Sequence, residues 1–379
     1  MMNRTIALAV ALCGSLVTSA ANAEGSPNQL AQGPKAEAYW PTAGWRTAKP
    51  EAVGMNSAKL LQAVDYAGEA QYKTDGVAII KDGYIVAEAY FGDFKQDSQH
   101  FSASVAKSFT NALVGIAIDK GLVPGVHAKL CQYFDEWDCS NADDMRSKIE
   151  IRHALTLTTG LKWQENWSKI DPATNDALKM GASRKFLEYM LNREALHVPG
   201  TKFTYSTGDP MFMSGVLAKA TGMSAFEFAK KHLFDPMGVS SVRWTGDSQG
   251  YTGTYANLNL TVRDYAKLGY LYLNKGRWDG KQIVSEDWVA KSIRPDPTVS
   301  GRKTYGYLWH INLSSRPAAK GLNIPGDAYM AAGVMGQNIV ILPSNDIVIV
   351  RVATIQGGGV NLMKFISMVL DAADEGATS

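Results

Sequence analysis

Apolar positions along the chain follow two rhythms, an alternation suited to strands and a spacing of three and four residues suited to helices. Residues 24–50 are polar, with Gly, Pro and Ala and no periodicity, which predicts an extended lead-in. Asn56 or Ser57 then precedes Leu60, Leu61, Val64 and Ala67, one face of a capped helix. The runs 76–80 and 84–91 flank Asp82-Gly83 and predict a β-hairpin. Val105, Phe109, Leu113, Ile116 and Ala117 predict a helix over 104–120, ended by Gly121. Helical spacing dominates from there to about 300, over 151–158, 184–191, 210–221, 224–233, 261–274 and 285–293. Runs rich in Ile, Val and aromatics return at 306–313, 328–333, 338–342 and 346–354, with Pro343-Ser-Asn-Asp346 as a turn. A final amphipathic helix is predicted over 360–373.

This order implies an α/β (α+β) fold in which strands from both ends meet in one antiparallel sheet, flanked by N- and C-terminal helices. The helical stretch becomes an insertion. The expected division is an α/β lobe made of 24–121 and 300–379, and a mostly helical lobe of 122–299. No internal repeat is visible.

Residues 1–23 are set apart. Arg4 is the only charge before Glu24, residues 6–17 form an apolar run too short to span a membrane, and Ala21-Asn-Ala23 has the small-x-small form of a signal-peptidase site. The expectation is a signal peptide cleaved after Ala23, a periplasmic or secreted product, and no stable membrane anchor. The 38 basic and 36 acidic residues nearly cancel, and no basic stripe occurs, which argues against nucleic acid as a partner.

Export changes the meaning of the cysteines. Cys131 and Cys139 remain after cleavage, and in an oxidising compartment such a pair reads first as a disulfide worth roughly 2–3 kcal/mol. Two free buried cysteines are the alternative. With His127 they match no metal signature, so no metal is expected.

Candidate chemistry rests on serines. Gly246-Asp-Ser248-Gln-Gly250 has the Gly-x-Ser-x-Gly spelling but lacks the strand before and the helix after that a nucleophile elbow requires. Ser-x-x-Lys occurs at Ser104-Val-Ala-Lys107 and at Ser300-Gly-Arg-Lys303. The second lies among prolines with no helix after it. The first opens a predicted helix, so Ser104 and Lys107 share one face, and burial would depress the lysine pKa toward base function.

Phe101-Ser-Ala-Ser104-Val-Ala-Lys107-Ser-Phe resembles the nucleophile segment of the serine β-lactamase and penicillin-binding-protein superfamily, most of all the class C-like branch holding esterases and 6-aminohexanoate-oligomer hydrolases. Further segments match in order. They are Ile151-Arg-His-Ala-Leu-Thr-Leu-Thr-Thr-Gly-Leu161, Phe203-Thr-Tyr205-Ser-Thr-Gly-Asp209, Asp235-Pro-Met-Gly238, the stretch from Thr261 to Gly276, and Ala332-Gly333-Val-Met-Gly336-Gln337. The resemblance spans roughly 50–370 and implies a β-lactamase/transpeptidase-like fold without a cofactor. It implies acyl transfer through Ser104, with Lys107 and Tyr205 as base and acid, and an oxyanion hole from the N–H groups of Ser104 and Val334. In the oligomer hydrolases a loop similar to Trp163-Gln-Glu165-Asn-Trp167 lines the cleft, which makes Glu165 and Trp167, with Gly333, candidate substrate-binding residues.

Two departures narrow the expectation. Relatives acting on β-lactams place Lys-Thr-Gly or His-Thr-Gly where this chain has Ala331-Ala332-Gly333, and Tyr-x-Asn where it has Tyr205-Ser206-Thr207. Both weaken recognition of a carboxylated bicyclic amide. A small-molecule ester or linear amide is therefore the expected substrate. A β-lactamase or D,D-peptidase, and an inactive binding protein on the same fold, are the alternatives. His310 could bring a cation from elsewhere, although a lone histidine on an apolar stretch is more often structural. Asp209 is expected to cap the helix starting near Pro210.

Overall fold

The computed structural model describes residues 39–168, 170–300, 302–354 and 359–376. Residues 1–23, where a signal peptide is expected, lie outside the described residues. Five antiparallel strands form the main sheet, labelled here β1 (Thr74–Lys81), β2 (Tyr84–Tyr90), β3 (Tyr329–Gly333), β4 (Gln337–Leu342) and β5 (Ile347–Ala353), in the order β2-β1-β5-β4-β3. The two ends of the chain meet at its centre, where Thr74 pairs with Ala353 and Lys81 with Ile347.

Local chemistry explains the elements. Asp82 (φ 51°) and Gly83 (φ 82°) both occupy the left-handed region, as a two-residue hairpin turn between β1 and β2 requires. Asn56 caps helix α1 (Ser57–Ala67) by accepting from the Lys59 N–H. The β1 and β5 strands are buried along nearly their whole length, and their Val and Ile side chains feed two cores. On one face, Val77, Ile79, Ile347 and Ile349 pack with α1 and the C-terminal helix α5 (Leu362–Gly376). On the other, Ala78, Ile80, Val348 and Val350 join a buried cluster that runs without a break into the helical region, through Phe109, Phe134, Phe212, Phe234 and Trp309.

At the centre of that cluster lies α2 (Ala106–Asp119), buried on every face from Ala106 to Ala117 rather than on one stripe. Its polar residues are all satisfied. Ser108 donates to the Leu308 carbonyl (2.8 Å), Thr110 to the Thr254 carbonyl (2.6 Å) and Asn111 to Ser292 (3.0 Å). Helices α3 (Met211–Thr221) and α4 (Val262–Leu273) pack around it.

Three expectations need correction. The run 306–313 is not a strand. Leu308 takes a left-handed φ of 58°, Gly306 N–H donates to the Trp309 carbonyl (2.9 Å), and the segment folds back on itself, bridging to the sheet edge where His310 pairs with Met330. The helix Asp176–Ser183, capped by Asn175, was not anticipated. Asp209 does not cap α3: that helix starts after Pro210 without a side-chain cap, and the carboxylate turns inward.

Candidate active site

Ser104 sits in a single 3-10 turn, Ala103–Val105, immediately before α2. The short strand His100–Phe101 leads into it, held by pairing of His100 with Leu260 and by the Ser102 N–H on the Leu258 carbonyl (2.8 Å). Ala103 has a positive φ of 45°, a strained conformation for a residue with a Cβ. The result is a partly exposed Ser104 between buried neighbours at the positive end of a buried helix.

Lys107 lies one turn on and is 1% exposed. Its Nζ donates to Ser104 Oγ at 2.8 Å and to the Tyr255 carbonyl at 3.2 Å. Burial pushes its pKa down from 10.5 to about 8, against the opposing pull of the Glu165 and Asp209 carboxylates. The Tyr205 ring centroid is 5.4 Å from this ammonium. Burial holds the phenol well above its ordinary value, with the Ser104 side chain opposing and the charge of Glu165 adding. Tyr205, far along the chain from Ser104 and Lys107, is therefore brought against the serine–lysine pair.

Strand β3 closes the other side. A Cβ at Gly333 would lie 2.8 Å from the Ser102 carbonyl oxygen and 3.0 Å from the Ser104 nitrogen, both backbone atoms with no freedom to move aside. Glycine is needed there for the strand to approach the Ser104 turn. Val334 follows in the turn Val334–Gly336, where Met335 (φ 68°) bends the chain away. Arg351 on β5, 1% exposed, fixes this turn by donating to the Gly336 carbonyl (3.1 Å), the Tyr72 carbonyl (2.8 Å) and Thr74 (2.9 Å).

Glu165 is held by four donors: the indoles of Trp163 (2.7 Å) and Trp167 (2.8 Å), the Thr207 N–H (2.7 Å) and the Thr207 hydroxyl (3.0 Å). Thr207 thus binds the acid of the tryptophan loop to the tyrosine segment. Asp209 accepts from Ser206 (2.8 Å) and Thr159 (3.0 Å), and burial, helped by Glu165, raises its pKa to about 7. His310 packs edge-on against Tyr305 at 5.0 Å. Burial, then the charges of Arg316, Arg302 and Lys107, lowers its pKa to about 3, so it is neutral and supplies no cation.

The competing serines stay apart from this cluster. Ser248 is in an exposed loop, donating to the Arg184 carbonyl (2.6 Å), and Ser300 is exposed, its N–H on the Gly200 carbonyl (2.6 Å). The Tyr255 carbonyl and Tyr305 belong to the cluster yet carry no sequence signal, since a backbone acceptor and a packing aromatic look like any other. No group of side chains suited to a metal ion occurs among the described residues.

A serine bonded to a buried lysine, on an antiparallel sheet backed by helices, is the arrangement of a serine hydrolase. The chain belongs to the Beta-lactamase family, whose model matches residues 59–367. It is similar to an uncharacterized protein of Alkalihalophilus pseudofirmus, 27% identical over 321 residues covering 79% of this chain and 88% of that one. It is also similar to the 6-aminohexanoate-dimer hydrolase of Paenarthrobacter ureafaciens, 24% identical over 301 residues covering 74% and 72%. Among solved structures it shares its fold with a family VIII carboxylesterase, at a TM-score of 0.65 and 15% identity over 86% of this chain and 98% of that one. The same holds for EstCE1, a hydrolase with promiscuous acyltransferase activity, at a TM-score of 0.65 and 16% identity over 85% and 99%.

Proposed function

We propose that the protein is an exported hydrolase that cleaves carboxylic esters or linear amides through an acyl-enzyme on Ser104. The observation that carries this reading is the 2.8 Å contact of a buried, pKa-lowered Lys107 with the Ser104 hydroxyl. A lysine near pKa 8 is partly neutral at neutral pH and can take the serine proton. Tyr205, whose pKa is raised, stays protonated at rest. It is therefore a relay and an acid toward the leaving group, and Lys107 is the base. The oxyanion formed when Ser104 Oγ attacks the carbonyl would meet the N–H groups of Ser104 and Val334, worth several kcal/mol of barrier. Water then attacks the acyl-enzyme, and Lys107 and Tyr205 take a proton from it and pass it to Ser104 Oγ as the carboxylic acid leaves. Glu165 and Trp167, with Gly333, would line the cleft.

Similarity to the 6-aminohexanoate-dimer hydrolase supports a linear amide, and similarity to the carboxylesterase an ester. Ala331-Ala332-Gly333 offers no cation on the strand and speaks against β-lactams. Export is supported by the residue pattern of 1–23, and a Cys131–Cys139 disulfide by the bonding contact of the two sulfurs. Among the described residues no helix is long and apolar enough to cross a membrane.

The test is intact mass after treatment with a fluorophosphonate, comparing wild type with Ser104→Ala. One adduct on wild type and none on the variant is expected. No adduct on folded wild type sinks the covalent mechanism, and an adduct surviving in Ser104→Ala moves the nucleophile elsewhere. A panel of p-nitrophenyl esters, a linear amide dimer and nitrocefin then ranks the substrates, and N-terminal sequencing of the exported protein checks cleavage after Ala23.

A further inference from the structure

One half of the oxyanion hole expected at Ser104 and Val334 lies in a strained turn. Val334–Gly336 joins β3 to β4, and both Met335 (φ 68°) and Gly336 (φ 92°) are left-handed. A methionine is held in that region against its own preference. All three residues are only half-buried, so enclosure by the core does not fix them. The turn is gripped at its two ends instead. Before it, Gly333 lies against the Ser104 turn, where an added Cβ would stand 2.9 Å from the Ala103 Cβ and 3.0 Å from the Ser104 nitrogen. At its far end Gly336 lies against Arg351, where an added Cβ would fall 2.1 Å from Nη1.

Arg351 uses its three nitrogens on three segments. Nη1 donates to the Gly336 carbonyl (3.1 Å), Nη2 to the Tyr72 carbonyl (2.8 Å) and Nε to the Thr74 hydroxyl (2.9 Å). Thr74 in turn donates to the Ala67 carbonyl at the end of α1. The planar guanidinium is thus a rigid bracket from α1 and the start of β1 to the far end of the turn. Beside it the Gln337 amide, also 1% exposed, donates to the Ala353 carbonyl (2.6 Å) and accepts from the Ala353 N–H (3.2 Å). That exchange carries the β4–β5 ladder past its last backbone pair, Arg351 with Asn338.

Burial lowers the Arg351 pKa to about 10, against the pull of Asp75, so the group is charged at neutral pH. Asp75 also bonds the His100 ring (2.9 Å) on the strand that leads into the Ser104 turn. A buried cation bonded to neutral oxygens is costly beside an apolar side chain of the same volume. What it supplies that an apolar side chain would not is a fixed Gly336 carbonyl, three peptide units after the Val334 N–H.

We propose that Arg351 is a positioning residue for catalysis, clamping the Val334–Gly336 turn so that the Val334 N–H meets the developing oxyanion together with that of Ser104. This rests on the hydrolase reading above and adds to it a residue that acts through the turn. Its loss should weaken the transition state far more than substrate binding.

The test is turnover per active site, with sites counted by exhaustive fluorophosphonate labelling. Arg351→Met stays apolar and of similar volume but loses the three bonds. With p-nitrophenyl butyrate its kcat per labelled site should fall about a hundredfold, with KM within about threefold of wild type. The acid limb near pH 8 should not move, because the Ser104–Lys107 contact is untouched. A trifluoromethyl ketone, whose hemiketal oxyanion needs both donors, should lose inhibition in parallel with kcat. Arg263→Met, which breaks the ion pair with Glu88 on β2 (2.6 Å), controls for loss of an arginine packed on the same sheet and should keep kcat per site. If Arg351→Met does not fold, Arg351→Lys, which keeps the charge but not the three-way fork, takes its place and should lose at least about tenfold on the same measure. A folded Arg351 variant with wild-type kcat per site overturns the proposal, as does a loss confined to KM, a shifted acid limb, or an equal loss in Arg263→Met. A folded wild type that neither labels nor turns over is a failure of the hydrolase reading, and this proposal falls with it; an active wild type with unaffected Arg351 variants overturns this proposal alone.

Discussion

The protonation of Lys107 should set the acid limb of activity. An ordinary lysine at 10.5 is neutral at pH 7 in roughly one molecule in three thousand. At about 8 the fraction becomes roughly one in eleven, so burial makes the base some three-hundredfold more available. Because the proton-accepting form is the neutral one, kcat/KM should rise with pH and level off above the pKa. Between pH 7 and pH 9 the neutral fraction climbs from about a tenth to about nine tenths, a nearly tenfold gain. Initial rates with p-nitrophenyl butyrate, taken from pH 6 to 10 at constant ionic strength and corrected for spontaneous hydrolysis, measure this directly. Lys107→Arg keeps the charge and a donor to Ser104 but cannot deprotonate, and should lose at least about a thousandfold in kcat/KM. A flat profile between pH 7 and 9, or an arginine variant within tenfold of wild type, would refute the assignment of Lys107 as base.

Other consequences can be measured alongside. Glu165→Gln removes the carboxylate that most opposes the lowering of the Lys107 pKa, so the acid limb should move to lower pH, read from the same profile. Tyr205→Phe keeps the ring beside Tyr305 and loses the hydroxyl: kcat should drop about a hundredfold or more with KM little changed and the circular dichroism spectrum intact. Gly333→Ala drives a methyl into the backbone of Ser102 and Ser104, and stopped-flow labelling by a fluorophosphonate should slow at least about tenfold. Replacing Cys131 and Cys139 by serine opens a loop of sequence separation 8 and should cost about 2.5 kcal/mol in urea unfolding, and addition of reductant should have no further effect.

The parts legible in the sequence were those where local chemistry and burial agree. Asp82-Gly83 had to be a hairpin turn because few other pairs take two positive φ values, and the structure uses both. The apolar rhythm after Ser104 had to be a buried helix, which puts Lys107 beside the serine. The run 306–313 misled because Trp309, Ile311 and their neighbours have the residue types of a strand, while the fold-back depends on a left-handed Leu308 that tertiary packing imposes. Asp209 misled because a capping residue and a buried acceptor look alike in a string; Ser206 and Thr159 decide between them only once the chain is folded.

The pairing of β1 with β5 has a consequence for how the protein is made. Thr74 waits for Ala353, so the middle of the sheet is sealed only by residues synthesised far later in the chain. Until they arrive, Val77 and Ile79 lack their covering helix α5, and the nucleophile turn lacks the strand that faces it. Such long-range closure slows folding and leaves strand edges open in the growing chain. A polypeptide of this design stays loose and lacks a working centre until β5 is made, so a product terminated before β5 should be inert as well as aggregation-prone.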